Sequence, residues 1–184
     1  MFLHQAKLKR ITIMHSKSNL PEFVYADQSR MEQVLCNYLS NALKYTPCDR
    51  KIVLIPQYSS ESELLYMVVK DYGVGIHQFD QARLFKPFSK LEALSEVENF
   101  GAGLGLYICS ILCTVLGGQV GVSSNKNVGT SFWFSIQATR RDPPNRSGIS
   151  MIKEEQISPE VQNDGEEPEI DVPVNIEEEE LKID

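Results

Sequence analysis

Apolar residues recur along this chain with two different periods, and the switches between them mark out its elements. Between residues 28 and 45, Met31, Val34, Leu35, Tyr38, Leu39 and Ala42 return every three or four positions, the spacing of one face of an α-helix. Asp27 before the run is a fitting N-cap, and Pro47 after it is a stop. KIVLIPQY (51–58) and ELLYMVVKD (63–71) have the β-branched and aromatic character of strands and are joined through SSES, which predicts a strand pair. A second helix is expected at about 104–116, then a turn at Gly117-Gly118 and strands near 119–123 and 130–137. Upstream, residues 2–9 read as the end of a helix, with ITIMHS (11–16) and FVYA (23–26) as short strands around Pro21. Paired strands with segregated helices predict an α+β fold. It would be a two-layer sandwich, with helices on one face of a mixed β-sheet and the other face partly open.

This patterning ends near residue 139. Residues 140–184 hold five of the nine prolines, no aromatic residue and a closing EEEE at 177–180. Low hydrophobicity with high net charge cannot bury enough surface to offset the entropy of ordering. The expected organisation is therefore one domain at 1–139 and an acidic disordered tail at 140–184. The formal charge of −7 divides at the same place: 13 Lys+Arg against 11 Asp+Glu give the body +2, and 5 against 14 give the tail −9.

That division excludes several functions. A near-neutral body with no basic stripe argues against nucleic-acid binding driven by phosphate contacts. No stretch approaches about 18 uninterrupted apolar residues, so no membrane segment is expected, and MFLHQAKLKR lacks the apolar run of a secretory signal. Cys36, Cys48, Cys109 and Cys113 form no CxxC framework. The last two, four apart in the expected second helix, read as small apolar packing groups rather than metal ligands. A reduced, cytosolic setting follows.

Three clusters carry candidate chemistry. On the long helix, Arg30, Gln33, Asn37, Asn41 and Lys44 fall within a stripe about 80° wide. Taken alone, such a stripe is the solvated face of a surface helix. Its composition departs from that reading, because amide oxygens one turn apart can hold a hard cation such as Mg²⁺ and a lysine can meet phosphate. DYGVGI (71–76) follows an apolar strand directly. Its glycines allow a ligand close to the backbone, and a carboxylate at a strand end can accept from an exocyclic amine, although an ordinary Asp/Gly turn has the same look. GAGLGL (101–106) opens the second helix, where free N–H groups and the positive end of the helix dipole attract anions. It lacks the preceding strand of a dinucleotide fingerprint, and no GxxxxGK[ST] is present. The stretch between the two glycine clusters, with Phe85-Lys-Pro-Phe88 in it, is long for a compact domain and suits a lid.

Together and in order, these segments resemble a known family. DQSRMEQVLCNYLSNALKYT (27–46), DYGVGI (71–76), LFKPFSK (84–90), GAGLGLYIC (101–109) and GTSFWFSI (129–136) are similar to the N, G1, F, G2 and closing-strand boxes of sensor histidine kinases. Their ATP-binding catalytic domain shares a superfamily with gyrase, heat-shock chaperone and mismatch-repair ATPases.

Position by position, the resemblance implies ATP and Mg²⁺ as ligands. Asn41 would ligate Mg²⁺ with support from Asn37, Lys44 would touch the phosphates, and Tyr45 would line the nucleotide. Asp71 would accept from the adenine N6 amine in a pocket shaped by Gly73 and Gly75. Gly101, Gly103 and Gly105 would form the lid hinge and offer N–H groups, with Leu106 behind them, and Thr130 would hold the water-mediated side of the adenine site. Hydrolysing relatives carry a glutamate four residues before the metal asparagine. Here that residue is Asn37, which cannot act as a general base, so phosphoryl transfer to a histidine is expected instead of hydrolysis.

Two departures qualify the resemblance. His4, His15 and His77 are the three histidines, and none has the acceptor context of the family. The acceptor is expected on a histidine-bearing dimerisation domain, in another chain or upstream in a longer product of which this is a fragment, with a response-regulator receiver downstream. Before the G2 glycines, where relatives carry Arg or Lys, stand Glu96, Glu98 and Asn99, leaving Lys90 as the nearest upstream base. Reduced activity, or a regulatory module that binds nucleotide without transferring phosphate, is the alternative expectation.

Overall fold

The longest helix starts and stops where its flanking residues direct. In α2 (Gln28–Tyr45), the Asp27 side chain accepts from the Arg30 N–H at 3.0 Å, and Thr46 caps the far end ahead of Pro47. The structure, a computed structural model, describes residues 2–16, 20–89 and 103–140, all within the contact-defined unit Met1–Pro143. The remainder of the expected acidic tail, including the unit Pro144–Asp184, lies outside the described residues. Before α2 come α1 (Phe2–Leu8), β1 (Thr12–His15) and β2 (Val24–Tyr25). After it come β3 (Lys51–Ser59), β4 (Leu64–Asp71), α3 (Gln78–Gln81), α4 (Gly105–Val115), β5 (Val120–Asn125), β6 (Gly129–Gln137) and β7 (Thr139–Arg140).

Five strands form one sheet in the order β1-β3-β4-β6-β5. The β1–β3 pair is parallel and the others are antiparallel, so the sheet is mixed, as expected. A separate two-residue ladder joins β2 to β7, pairing Val24 with Arg140 and Tyr25 with Thr139. Neither β7 nor the single turn of α3 was expected, since both are too short for a hydrophobic period to register.

Helices cover one face of the sheet. From α2, Val34, Tyr38, Leu39, Ala42 and Leu43 join Ile52, Leu65, Val69, Phe132, Phe134 and Ile136 of the sheet and Cys109 and Cys113 of α4 in one core. Each of the Val, Leu, Ile and Phe side chains taken out of water contributes roughly 1.5–3 kcal/mol. Tyr38 is fully buried, with its ring 5.3 Å from that of Phe132 and 5.8 Å from that of Phe134. Its hydroxyl donates to the Trp133 carbonyl at 3.4 Å. Burial pushes the Cys109 thiol up to about 12 and the Cys113 thiol up to about 11, so both pack as neutral apolar groups.

The opposite face carries an apolar patch of its own. Ile55, Val68 and Trp133 stand in register across β3, β4 and β6, and the Trp133 ring lies over Gly121 of β5. Val53, Ile55, Tyr66 and Val68 on this face are all buried, whereas Met14 beside Val53 is 40% exposed.

Tyr38→Ala should lower the unfolding free energy by about 3–5 kcal/mol, because the cavity beside Phe132 and Phe134 cannot fully collapse. Tyr38→Phe, which loses only the long bond to Trp133, should cost about 1 kcal/mol. Urea denaturation of the two variants measures both.

Candidate functional site

Sheet register delivers the buried carboxylate. Asp71, the last residue of β4, stands opposite Thr130 of β6 and Ile52 of β3, so both flanks are strands and the side chain is only 4% exposed. Its Oδ1 accepts from the Gly73 N–H at 2.8 Å. Burial drives its pKa up to about 6, against the lowering effect of the Gly73 and Thr130 backbone N–H groups. Gly73 packs so close that a Cβ there would come within 2.7 Å of Asp71 Oδ1 and 2.6 Å of the Tyr45 carbonyl oxygen. The Asp71 turn and the end of α2 are therefore in contact. The Val74 N–H donating to the Tyr45 carbonyl at 3.4 Å adds to that contact.

The turn is also stitched to the far edge of the sheet by residues that carried no signal in the sequence. Ser124 Oγ accepts from the Ile76 N–H at 2.8 Å, donates to the Gly129 carbonyl at 2.9 Å and lies 3.0 Å from Thr130 Oγ1. With its one proton on Gly129, Ser124 takes the Thr130 hydroxyl proton. Gln81 Nε2 spans the Ser124 and Ile76 carbonyls at 2.8 and 3.1 Å. Gly75 has φ 65° and lies against the Asn125 carbonyl, a place where a side chain would both strain and clash.

The amide ladder meets the start of α4. Asn41 Nδ2 donates to Asn37 Oδ1 at 3.3 Å, and Asn41 Oδ1 has no donor among the described residues. Gly105, the first residue of α4, lies directly against the Asn37 side-chain amide, in a gap that a Cβ would fill. Leu104 at the N-cap gives α4 no side-chain cap among the described residues, which leaves its first N–H groups available to a ligand. Leu106 packs against the core behind it. Lys44 Nζ lies 5.1 Å from the centroid of the Tyr45 ring. Gly103, with φ 71°, packs on the Ser89 and Phe88 backbone. Phe85 joins the core edge-on to Phe132 at 6.3 Å, whereas Phe88 is 73% exposed. Of this pair, then, only Phe85 pins the segment.

Asn37, Asn41, Lys44, Tyr45, Asp71, Gly73, Gly75, Gly103, Gly105, Leu106 and Thr130 thus gather around the C-terminal end of α2, the end of β4 and the start of α4. Lys90, Gly101, Glu96, Glu98 and Asn99 lie outside the described residues. No group of His, Cys, Asp or Glu among the described residues has metal-binding spacing. A hard cation here would need amide and phosphate oxygens.

A helical layer on one face of a mixed sheet, with a buried Asp at a strand end and an uncapped glycine-led helix facing an amide ladder, defines a class of nucleotide-directed ATPase folds. The family described as "Histidine kinase-, DNA gyrase B-, and HSP90-like ATPase" matches residues 26–140, and the chain belongs to that family. Within it, the likeness is to sensor histidine kinases. Over 125 residues the chain is 33% identical to the signal transduction histidine-protein kinase BarA of Escherichia coli K12, covering 67% of this chain and 14% of that protein. Over 120 residues it is 38% identical to hybrid signal transduction histidine kinase B of Dictyostelium discoideum, covering 64% and 6%. The chain thus spans a small part of the length of these relatives. Among solved structures, full-length ShkA in complex with AMPPNP superposes with a TM-score of 0.64 at 33% identity, covering 78% of this chain and 29% of that one. The catalytic domain of histidine kinase ThkA superposes with a TM-score of 0.62 at 26% identity, covering 75% and 87%.

The raised pKa of Asp71 makes its charged form a burden on the fold. Stability from this residue is full below the unfolded value of 3.8 and is lost as pH rises through about 6. Over that window wild-type unfolding free energy should fall relative to Asp71→Asn by roughly 3 kcal/mol or less. Denaturant titrations of both proteins across pH 3.5–7 measure the difference.

Proposed function

We propose that this chain is the ATP-binding catalytic domain of a two-component phosphorelay, moving the γ-phosphate of ATP to a histidine on a separate domain or chain. The observation that carries it is the contact of Gly105 with Asn37, which sets an uncapped helix N-terminus beside a pair of amide side chains. The catalytic domain would occupy 1–139 and the acidic tail 140–184, in the cytosol. No helix among the described residues is long and apolar enough to cross a membrane.

In this reading Asp71 accepts from the adenine N6 amine, which the buried carboxylate can do because one oxygen is already oriented by Gly73. Thr130, Gly73 and Gly75 shape the base pocket, while Tyr45 and Leu106 line the nucleotide. Lys44 neutralises phosphate charge, and the N–H groups at Gly101, Gly103 and Gly105 hold phosphate oxygens, with Lys90 reaching the γ-phosphate. The donor set fits Mg²⁺: Asn41 Oδ1 has no donor among the described residues and Asn37 fixes the amide that bears it. When bound, the metal would neutralise the charge that develops on transfer. Asn37 has no proton-accepting nitrogen and cannot activate water, so transfer is favoured over hydrolysis. The partners are a histidine-bearing dimerisation domain and, after it, a response-regulator receiver. His4 lies in α1, His15 lies in β1 and His77 caps α3, and none has the sequence context of a family acceptor.

Incubating the chain with a dimerisation-domain partner and labelled ATP should give acid-labile phosphohistidine, abolished by Asn41→Ala. Binding without transfer would reduce the protein to a nucleotide-sensing module. Asp71→Asn should weaken ATP at pH 7.5 at least tenfold, about 1.5–3 kcal/mol for a charge-assisted hydrogen bond. Isothermal titration reads that loss directly.

A further inference from the structure

We propose that Lys9 is a positioning residue of the nucleotide site, acting through the C-terminal carbonyls of α2. The proposal rests on the ATP reading for what the site holds and on geometry for how Lys9 serves it. The last four carbonyls of a helix have no intrahelical donor, and in α2 three groups outside the helix serve them. Ala42 accepts from the Thr46 N–H at 3.0 Å. Leu43 would next accept from residue 47, but that residue is Pro47 and has no N–H. Lys9 Nζ takes its place, donating to the Leu43 carbonyl at 2.7 Å, to the Lys44 carbonyl at 3.0 Å and to the Thr46 carbonyl at 3.1 Å. Tyr45 accepts from the Val74 N–H of the Asp71 turn.

An ammonium has three protons, and all three find acceptors here. Its charge also stands at the negative end of the α2 dipole. Lys9 is itself held in place. Its carbonyl accepts from the Asp49 N–H at 3.0 Å, and Arg10 beside it, with φ 53°, pairs with Asp49. The Ile11 N–H closes the end of α1 onto the Ala6 carbonyl at 2.8 Å. The end of α1 is thus tied to the last turn of α2, which carries Lys44 and Tyr45. Without Lys9, two helix carbonyls lose their donor, that turn frays, and the Lys44 and Tyr45 side chains lose their fixed origin. Lys9 works through the backbone of these residues, not by contact with a ligand.

Titration of the full chain with a non-hydrolysable ATP analogue and Mg²⁺, alongside thermal melting, tests this. Lys9→Met keeps the apolar stem without donors and should weaken binding by about tenfold, whereas Lys9→Arg, with charge and donors retained, should stay within about threefold. If Lys9→Met does not fold, Lys9→Gln, one neutral donor in place of three charged ones, should still lose about threefold or more. A Lys9→Met protein that melts lower yet binds as tightly as wild type would overturn the proposal, and so would equal losses in Met and Arg. A folded wild type that binds no analogue would overturn the ATP reading and this inference together, a failure recognisable because it appears before any substitution.

Discussion

The packing of Tyr38 on Phe132 and Phe134 sets where α2 lies on the sheet, and the candidate chemistry depends on that placement. Asn37 is its immediate neighbour and Asn41 follows one turn later, so a rotation of α2 that displaced Tyr38 would carry both amides away from Gly105. Phe132 lies two residues beyond Thr130 on the same strand, and Thr130 is in register with Asp71. One aromatic cluster therefore fixes the N-terminus of α4, the amide ladder and the buried carboxylate in a common frame. Dense interiors transmit displacement rather than absorb it, so a core substitution here acts on the site as well as on stability.

Asp71 carries a cost to the fold that its proposed role toward adenine would account for. A carboxylate at 4% exposure without a full counter-charge is held above its ordinary range by desolvation, and two backbone N–H groups offset only part of that cost. An asparagine or serine would end β4 with less penalty. The same desolvation makes the group a strong acceptor for a neutral amine donor, since few waters compete for its lone pairs. Ser124 and Gln81 belong to this compromise. They hold the turn and Thr130 without bringing a positive charge that would neutralise the carboxylate.

Much of this was legible in the sequence, and the reasons differ by element. The face of α2 and its polar stripe could be read because 18 residues sample the helical period five times. β3, β4 and β6 were readable as long β-branched and aromatic runs. The glycine-led turns pointed to close approaches, and the contact of Gly105 with Asn37 is one. The two-residue strand β7 and the one-turn α3 offered no period at all. The apolar patch on the second face went unread because Val53, Ile55, Tyr66 and Val68 come together across β3 and β4 only once register is known. Ser124, Gln81 and Lys9 were invisible for another reason. Each acts through a hydrogen bond to a backbone atom distant in sequence, and no local pattern encodes such a partner.

The charge of the chain bears on how phosphate could be held. With +2 spread over 139 residues and −9 in the tail, no extended field draws an anion in, and exposed charges separated by more than about 8–10 Å are screened at physiological salt. In the proposed reading, affinity would come from groups within bonding distance: Lys44 at the end of α2, the first turn of α4 and a cation on Asn41. All three lie in the last turns of α2 or the first turn of α4. A terminus directs its N–H or C=O groups only while the last turn stays wound. For α2 that turn is followed by proline and closed from outside by Lys9 and Val74, so the local electrostatics of the site rest on hydrogen bonds made by residues that need never touch the ligand.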